Sequence, residues 1–427
     1  MEVAEDLFLR LFLSKLDKIS VALNLASDEG LKEAYAALWR EFDGKSDTDT
    51  LSFAVTDGSV ASTTFRGGLR VAVARAITNV YRCNRLIDSV CDVDVRVGHR
   101  LRRTSLYMKA LELKCLKKAL EDHGEALIAL YDGDLYPTIH PVLATPTDQG
   151  VEAYVEYLRA FSELYGFARQ RGLTLIGITK DSFVNYLGAQ ILASLVSRED
   201  PEAGADLSRV RSAKNIMRKL PSLRDRLRNY EVYYNIVNRM SMSSDEDTLY
   251  EYTDKPGFTV PMALAPQPIF LSEEIKAGTK RWIDSKIRRR LLEANPPMSE
   301  VALTLDEIYE LPPIAISYWR PWHGLGVYRV DVCGWALGLD VKSASMEADN
   351  ILGGEAAERF KGIAALLNGL SPEPFSVKPL LDADDLVRFD VKTYKECYEP
   401  LIIEALRKAG FKVLLTKRNL RELMVRV

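Results

Sequence analysis

Residues Leu51–Gly68 read LSFAVTDGSVASTTFRGG, an apolar run that meets an aspartate, a glycine and a serine and closes on paired glycines. The apolar residues before Asp57 predict a strand, with Asp57 at its mouth. Asp-Gly is also a strong signal for a tight turn, so Asp57 alone says little. A second stretch changes the reading. Leu127–Pro137 reads LIALYDGDLYP and again sets an aspartate, Asp132, at the end of an apolar strand. Two carboxylates placed alike predict a site.

Working outward, SFAVTDG, STTFRGG and LRVAVARAITNVYR read as three antiparallel strands, with Gly58 and the Gly67-Gly68 pair supplying turns. From Ser105, SLYMKALELKCLKKALEDHG has helical spacing and stops at Gly124. The strand ALIALYDG follows, then a helix over 151–170 ended by Gly172, the strand LTLIGITK, and a helix from near Asp181. Strand, helix, strand implies parallel pairing. Upstream, LFLRLFLSKL is interrupted by Arg10 and Lys15 and continues helically through LKEAYAALWREF, so it reads as an amphipathic helix, not a targeting segment. Downstream, strands are expected at PIAISYWR and GVYRVDV, a helix over 345–368, a helix in VKTYKECYEPLIIEALRKAG capped by Gly410, and closing strands. The division expected is a helical segment over 1–50, a first part of the core over 51–198, an insertion or subdomain over 199–312, and core completion with C-terminal helices over 313–427.

The 427 residues, 47% hydrophobic and 27% charged with both signs interspersed, describe an ordinary globular chain. Cys83, Cys91, Cys115, Cys333 and Cys397 are odd in number and lack CxxC spacing, which argues against a disulfide framework or a zinc site and for a reducing cytoplasm. No segment approaches the roughly 18 apolar residues of a membrane span. Scarce glutamine beside abundant Lys, Arg and Glu is a bias seen in thermophile proteins. A net charge of −3 does not mark a nucleic-acid binder, but acidic centres and basic grooves cancel in the total. Local basic runs therefore matter more. RVRSAKNIMRKLPSLRDRLRNY from Arg209 and TKRWIDSKIRRRLLEA from Thr279 are both helical in pattern; the second carries Arg281, Arg288 and Arg289 beside Trp282. A solvated helical surface is the plainer reading of either run.

Three antiparallel strands, a helix, then parallel strands alternating with helices is the order of an RNase H-like α/β fold with a mixed sheet. In such a sheet the first strand and the strand after the first helix are neighbours, so Asp57 and Asp132 would meet at one edge. Converging carboxylates suit phosphodiester hydrolysis with two cations ~4 Å apart, which stabilise the attacking and leaving oxygens. Hard oxygen donors favour Mg2+ or Mn2+.

The motifs VTDGSVAS and LYDGDLYP, the helix with Glu112 between them, and the later LIGITKDSF resemble those of the NurA nucleases, archaeal and bacterial enzymes that resect DNA ends with the hexameric translocase HerA. The resemblance spans nearly the whole chain. It implies a metal-dependent deoxyribonuclease of double-strand break repair, acting on single- and double-stranded DNA ends from 5′ to 3′ with possible single-strand endonuclease activity. It also implies Mn2+ or Mg2+, two ions, and a homodimer docked on a HerA-like hexamer. Catalytic and metal-binding roles fall on Asp57, Glu112 and Asp132. The family's fourth ligand is a C-terminal histidine; here KPLLDADDLVRF offers Asp384 at that place, with Asp382 and Asp385 as alternatives. Asp134 stands where the family has a serine, either as an added ligand or as a cap. Lys180 would contact a phosphate, and His323, flanked by aromatics and Arg320, would line the DNA path. His99, His123 and His140 carry no assignment.

Two other classes compete. LIALYDGD ends in Asp-x-Asp, the opening motif of haloacid-dehalogenase-type phosphatases, with Asp132 as nucleophile and Asp134 as general acid; Tyr136 departs from that motif, and Asp57 would have no task. A non-catalytic DNA-end adaptor for a translocase is the third reading, given the missing histidine.

Overall fold

A computed structural model of the chain describes residues 29–99, 101–137, 148–180, 182–266, 299–373 and 377–411. The chain divides into two compact units, one made of Met1–Leu38 and Phe183–Tyr252, the other of Trp39–Ser182 and Thr253–Val427.

The second unit is built on one mixed sheet. Its strands are β1 (Trp39–Glu41), β2 (Ser52–Thr64), β3 (Leu69–Arg82), β4 (Arg85–His99), β5 (Ile128–Asp132), β6 (Thr174–Thr179), β7 (Gly257–Thr259), β8 (Met262–Ala263), β9 (Ile314–Arg320), β10 (Tyr328–Cys333) and β11 (Asn350–Ile351). The order is β1-β7-β9-β10-β6-β5-β2-β3-β4, with β8 pairing β9 and β11. Strands β2, β3 and β4 form an antiparallel meander, β5 joins β2 in parallel, and β6 joins β5 in parallel. That is the RNase H-like arrangement expected from the sequence, enlarged by antiparallel strands beyond β6.

The meander differs from expectation in detail. Strand β2 passes straight through Gly58, pairing Asp57 with Ile77 and Gly58 with Ala76, so no turn interrupts it and Asp57 is not at its end. The first turn is at Gly67 and Gly68, both with positive φ. The second, between β3 and β4, uses no glycine: Cys83 and Asn84 both adopt left-handed φ, 53° and 58°, the backbone of a hairpin turn that matches strand twist.

Helix α1 (Thr104–Asp122) covers one face of the meander. Ala74 and Ala76 of β3 leave room for Leu111 and Cys115, and this small-residue seam lets the helix approach closely. Leu113, Leu116 and Leu120 on the same helix are almost wholly buried, each contributing about 1.5–3 kcal/mol. Helix α2 (Asp148–Arg171) packs on α1 and connects β5 to β6; its apolar residues recur at helical spacing from Ala153 through Ala168. Helices α3 (Ser299–Tyr309), α4 (Glu355–Gly369) and α5 (Lys378–Val387) follow later in the chain. Helix α4 starts later than the 345–368 expected; Ser343–Ser345 is a short turn of 3-10 helix and Asn350–Ile351 is strand. Gly410, with φ of 85°, closes the helix Glu399–Lys408 as expected.

The first unit is helical among its described residues, with helices at Glu29–Leu38, Tyr186–Ser197, Pro201–Leu207, Ala213–Lys219, Tyr230–Met240 and Asp245–Tyr252. Buried Asp245 knits it together: its carboxylate accepts from Tyr35 Oη at 2.6 Å and from the Leu187 and Gly188 amides at 2.8 and 2.9 Å, free donors at a helix start. The basic run from Arg209 lies here, in short helical turns. The amphipathic start of the chain before residue 29, the run from Thr279 with Arg281, Trp282, Arg288 and Arg289, His140, and the expected closing strands lie outside the described residues. Among the described residues no helix is long and apolar enough to cross a membrane.

Candidate active site

The parallel register sets Thr56 opposite Tyr131. Asp57 and Asp132 are the next residues on each strand, so they sit side by side on one face of the sheet. They differ in setting. Strand β5 ends at Asp132, whereas β2 runs on to Thr64 as an arm paired to β3. Asp132 in turn pairs with Ile178 of β6. Lys180, two residues beyond Ile178, returns to the same face, and its Nζ donates to Asp132 Oδ2 at 2.7 Å.

Glu112 enters from α1, 1% exposed. Its carboxylate rides over Gly58, where a Cβ would stand 2.3 Å from Glu112 Oε1. The glycine of the first motif is thus needed for close approach, not for a turn. Tyr131 Oη donates to Glu112 Oε2 at 2.8 Å, so the residue before Asp132 orients the helix carboxylate.

Asp384 arrives from α5, which packs across β2, β3 and β5. Its charge is felt by both Asp57 and Lys180. Asp382 points elsewhere, pairing with Lys378 and acting on Tyr81, and Asp385 acts on Lys378. Of the three alternatives in KPLLDADDLVRF, Asp384 is the one whose charge acts on both Asp57 and Lys180.

The electrostatics follow from this crowding. Burial, then repulsion from Asp132 and Asp384, pushes the Asp57 carboxyl up to about 7 despite the Gly58 amide on Oδ1 and the nearby Lys180. Burial also pushes Glu112 up to about 8, with Asp57 and Asp132 adding to the rise against Tyr131 and Lys109. Burial opposes the Lys180 ammonium, but Asp132, Asp57 and Asp384 hold its pKa above the usual lysine value. The pocket gathers more negative charge than its own cations balance, and its donors are all carboxylate oxygen, which fits a hard divalent cation. Among the described residues, no three His, Cys, Asp or Glu side chains already form a cation cage; Asp57, Glu112 and Asp132 each accept a hydrogen bond from the protein instead.

Asp134 behaves differently from Asp132. Although burial alone would raise its pKa, Lys109 at 2.5 Å and Arg329 hold it below the usual range. An ionised, lysine-bound Asp134 is unsuited to the general-acid role that the phosphatase reading requires, and the sheet's antiparallel meander gives Asp57 a place that reading leaves idle. Beneath it, fully buried Asp331 receives Arg329 through Nε and Nη2, both at 2.7 Å, and accepts the Leu135 and Tyr136 amides at 3.0 and 3.2 Å. This pair fixes the loop that follows Asp132. His323 is exposed in the turn between β9 and β10, and since Arg329 pairs with Thr179 that turn lies toward the sheet edge that carries Lys180. Sequence reasoning missed Tyr131, Lys109, Arg329 and Asp331. Tyr131 lies within the LYDGDLYP motif and Lys109 lies one helical turn from Glu112, so those two were within reach.

Residues 51–360 match the NurA domain model. The chain belongs to the NurA family. The NurA nuclease from Sulfolobus solfataricus shares the fold, with a TM-score of 0.53 and 15% identity over 95% of this chain and 98% of that one. A NurA structure bound to dAMP and manganese aligns over 93% of this chain and 96% of that one, at 12% identity and a TM-score of 0.36. None of the curated proteins matches in sequence. The NurA match covers both aspartate motifs, α1 with Glu112, and Lys180; α5 with Asp384 lies beyond it.

Proposed function

We propose that this NurA-family chain is a metal-dependent deoxyribonuclease whose metal centre is formed by Asp57, Glu112 and Asp132, with Asp384 as the fourth carboxylate. The observation that carries the reading is the shared face of Asp57 and Asp132 on neighbouring parallel strands, with Glu112 reaching the adjoining Gly58 from the sheet's other face, near enough for both aspartates to act on its carboxyl. Two Mn2+ or Mg2+ ions would supply there the positive charge that phosphodiester hydrolysis needs on the attacking and leaving oxygens. The residues of the chain do the rest. Tyr131 holds Glu112 in orientation, the Arg329–Asp331 pair fixes the loop after Asp132, and Lys180 can turn its ammonium from Asp132 to a phosphate oxygen. The turn with His323, and the basic run with Arg281, Arg288 and Arg289, would extend the DNA path by contacts to backbone phosphates.

The family resemblance supports finer assignments: linear DNA ends as substrate, both single- and double-stranded, 5′-to-3′ resection in break repair, a homodimer, and a HerA-like hexamer as partner. Five free cysteines support a reducing cytoplasmic location.

The test is to incubate the purified protein with Mn2+ and linear DNA, with and without chelator. Metal-dependent shortening is expected. No shortening with any metal would remove the enzyme and leave the DNA-end adaptor. Asp57→Asn separates the nuclease, which should lose its activity, from a phosphatase centred on Asp132, which should keep it.

A further inference from the structure

Arg75 is one of only two residues inside β3, with Arg70, that the fold leaves partly exposed. It stands opposite Ser59 in the β2–β3 register, two residues from Asp57 and on the same face. Its guanidinium donates through Nε to the Val387 carbonyl and through Nη2 to the Arg388 carbonyl, at the C-terminal end of α5. The same group stacks on the Phe389 ring, 4.1 Å from its centroid. Ser59 Oγ accepts the Phe389 amide at 3.2 Å, and Thr63 Oγ1 lies 3.2 Å from Tyr394 Oη. Phe389, Tyr394 and Tyr398 then pack ring against ring.

These contacts form a latch. A cation on the last carbonyls of a helix satisfies acceptors that have no partner within the helix and complements its dipole. Here that cation belongs to the strand paired with the one bearing Asp57, and the helix it ends carries Asp384 one turn earlier. Without the latch, α5 would still pack by its apolar face, through Leu380, Ala383 and Val387, but its rotation and slide over β2 would be less tightly set. A ligand placed by a long-range helix depends on such a fixture, because displacement of about 1 Å already costs function.

We propose that Arg75 is the positioning residue that seats Asp384 in the metal centre, acting through the end of α5 and not by contact with metal or DNA. The inference rests on the proposed function for Asp384 and assigns a task to a residue outside the acidic cluster.

Mn2+ binding without DNA tests it, read from the loss of the free-ion electron paramagnetic resonance signal in four proteins: wild type, Arg75→Met, Asp384→Asn and the double variant. Arg75→Met and Asp384→Asn should each weaken apparent Mn2+ affinity by about 10-fold or more, the size usual for a group that orients a ligand. The double variant should bind no more weakly than Asp384→Asn alone, because Arg75 acts only through Asp384. Should Arg75→Met not fold, Arg75→Lys, which keeps the charge but not the forked donors, takes its place in the same comparison. Wild-type affinity in the folded Arg75 variant, or losses that multiply in the double variant, would overturn the inference while leaving the metal centre intact. Wild-type affinity in Asp384→Asn would instead remove Asp384 from the metal centre, and the inference with it.

Discussion

Lys180 Nζ lies 2.7 Å from Asp132 Oδ2, an ion pair spanning the ends of two adjacent parallel strands. The ammonium is only partly exposed and is held by Asp132, Asp57 and Asp384 together. It therefore occupies an oxygen that a metal ion would claim, and is poised to move to phosphate when one does. Lys180→Met should leave Mn2+ binding as tight as in wild type or tighter, while kcat for DNA cleavage falls on the order of 10²-fold, the scale of losing a charge-stabilising donor. Calorimetric Mn2+ titration beside single-turnover cleavage separates the two effects; an unchanged kcat would exclude the phosphate role.

The raised carboxyls make the metal-free protein sensitive to pH. Asp57 is pushed up to about 7 and Glu112 to about 8, so between about pH 4, the ordinary carboxyl range, and pH 8 the folded chain holds protons that the unfolded chain has released. Stability should therefore fall as pH rises through that window and level off above it. Thermal unfolding in chelator at pH 5 to 8 measures the slope, and Asp57→Asn should flatten it and raise Tm at pH 8. Mn2+ affinity should run the other way, strengthening from pH 6 to 8, because ligands must lose their protons to bind.

Gly58→Ala should damage the site without touching a carboxylate. The added methyl would fall 2.3 Å from Glu112 Oε1, so the Glu112 carboxylate must leave its place over Gly58 and its bond to Tyr131. A destabilisation of about 1–3 kcal/mol, the usual scale of overpacking, is expected in urea unfolding, with a larger proportional loss of cleavage. Wild-type cleavage by a folded Gly58→Ala protein would mean that Glu112 has no part in the reaction.

Asp331→Asn should cost about 3 kcal/mol, the low end for breaking a buried pair, because it removes the carboxylate that takes both donors of Arg329 while Asp134 still faces the guanidinium. Replacing both, as in Arg329→Met with Asp331→Leu, should recover much of that stability but not the loop geometry, since the Leu135 and Tyr136 amides lose their acceptor. Denaturant midpoints for the single and double variants decide it; equal losses in the two would show that the pair's charge balance is not what matters.

The sheet order around the site was legible because each element carries its own local period: alternating small and β-branched residues in β2 and β3, helical spacing in α1, short apolar runs in β5 and β6. Asp57 and Asp132 stood out because both follow such runs. Gly58 misled, since glycine in a strand usually signals a turn, whereas here it stays paired in the ladder and makes room for a carboxylate from a helix more than fifty residues away. Strand β4 was hidden by the turn before it, where Cys83 and Asn84 take left-handed φ without a glycine. Arg75 and Asp331 carry no local signal at all. Their tasks exist only once α5 meets the meander and β10 meets the loop after β5, and no spacing along the chain encodes those meetings.

The central claim is that Asp57, Glu112 and Asp132 together capture divalent cations, and an anomalous difference map from a crystal soaked in Mn2+ tests it most directly. The account predicts peaks bounded by these carboxylates, with Asp384 at their margin. Strong peaks elsewhere, with this pocket empty at saturating Mn2+, would contradict it.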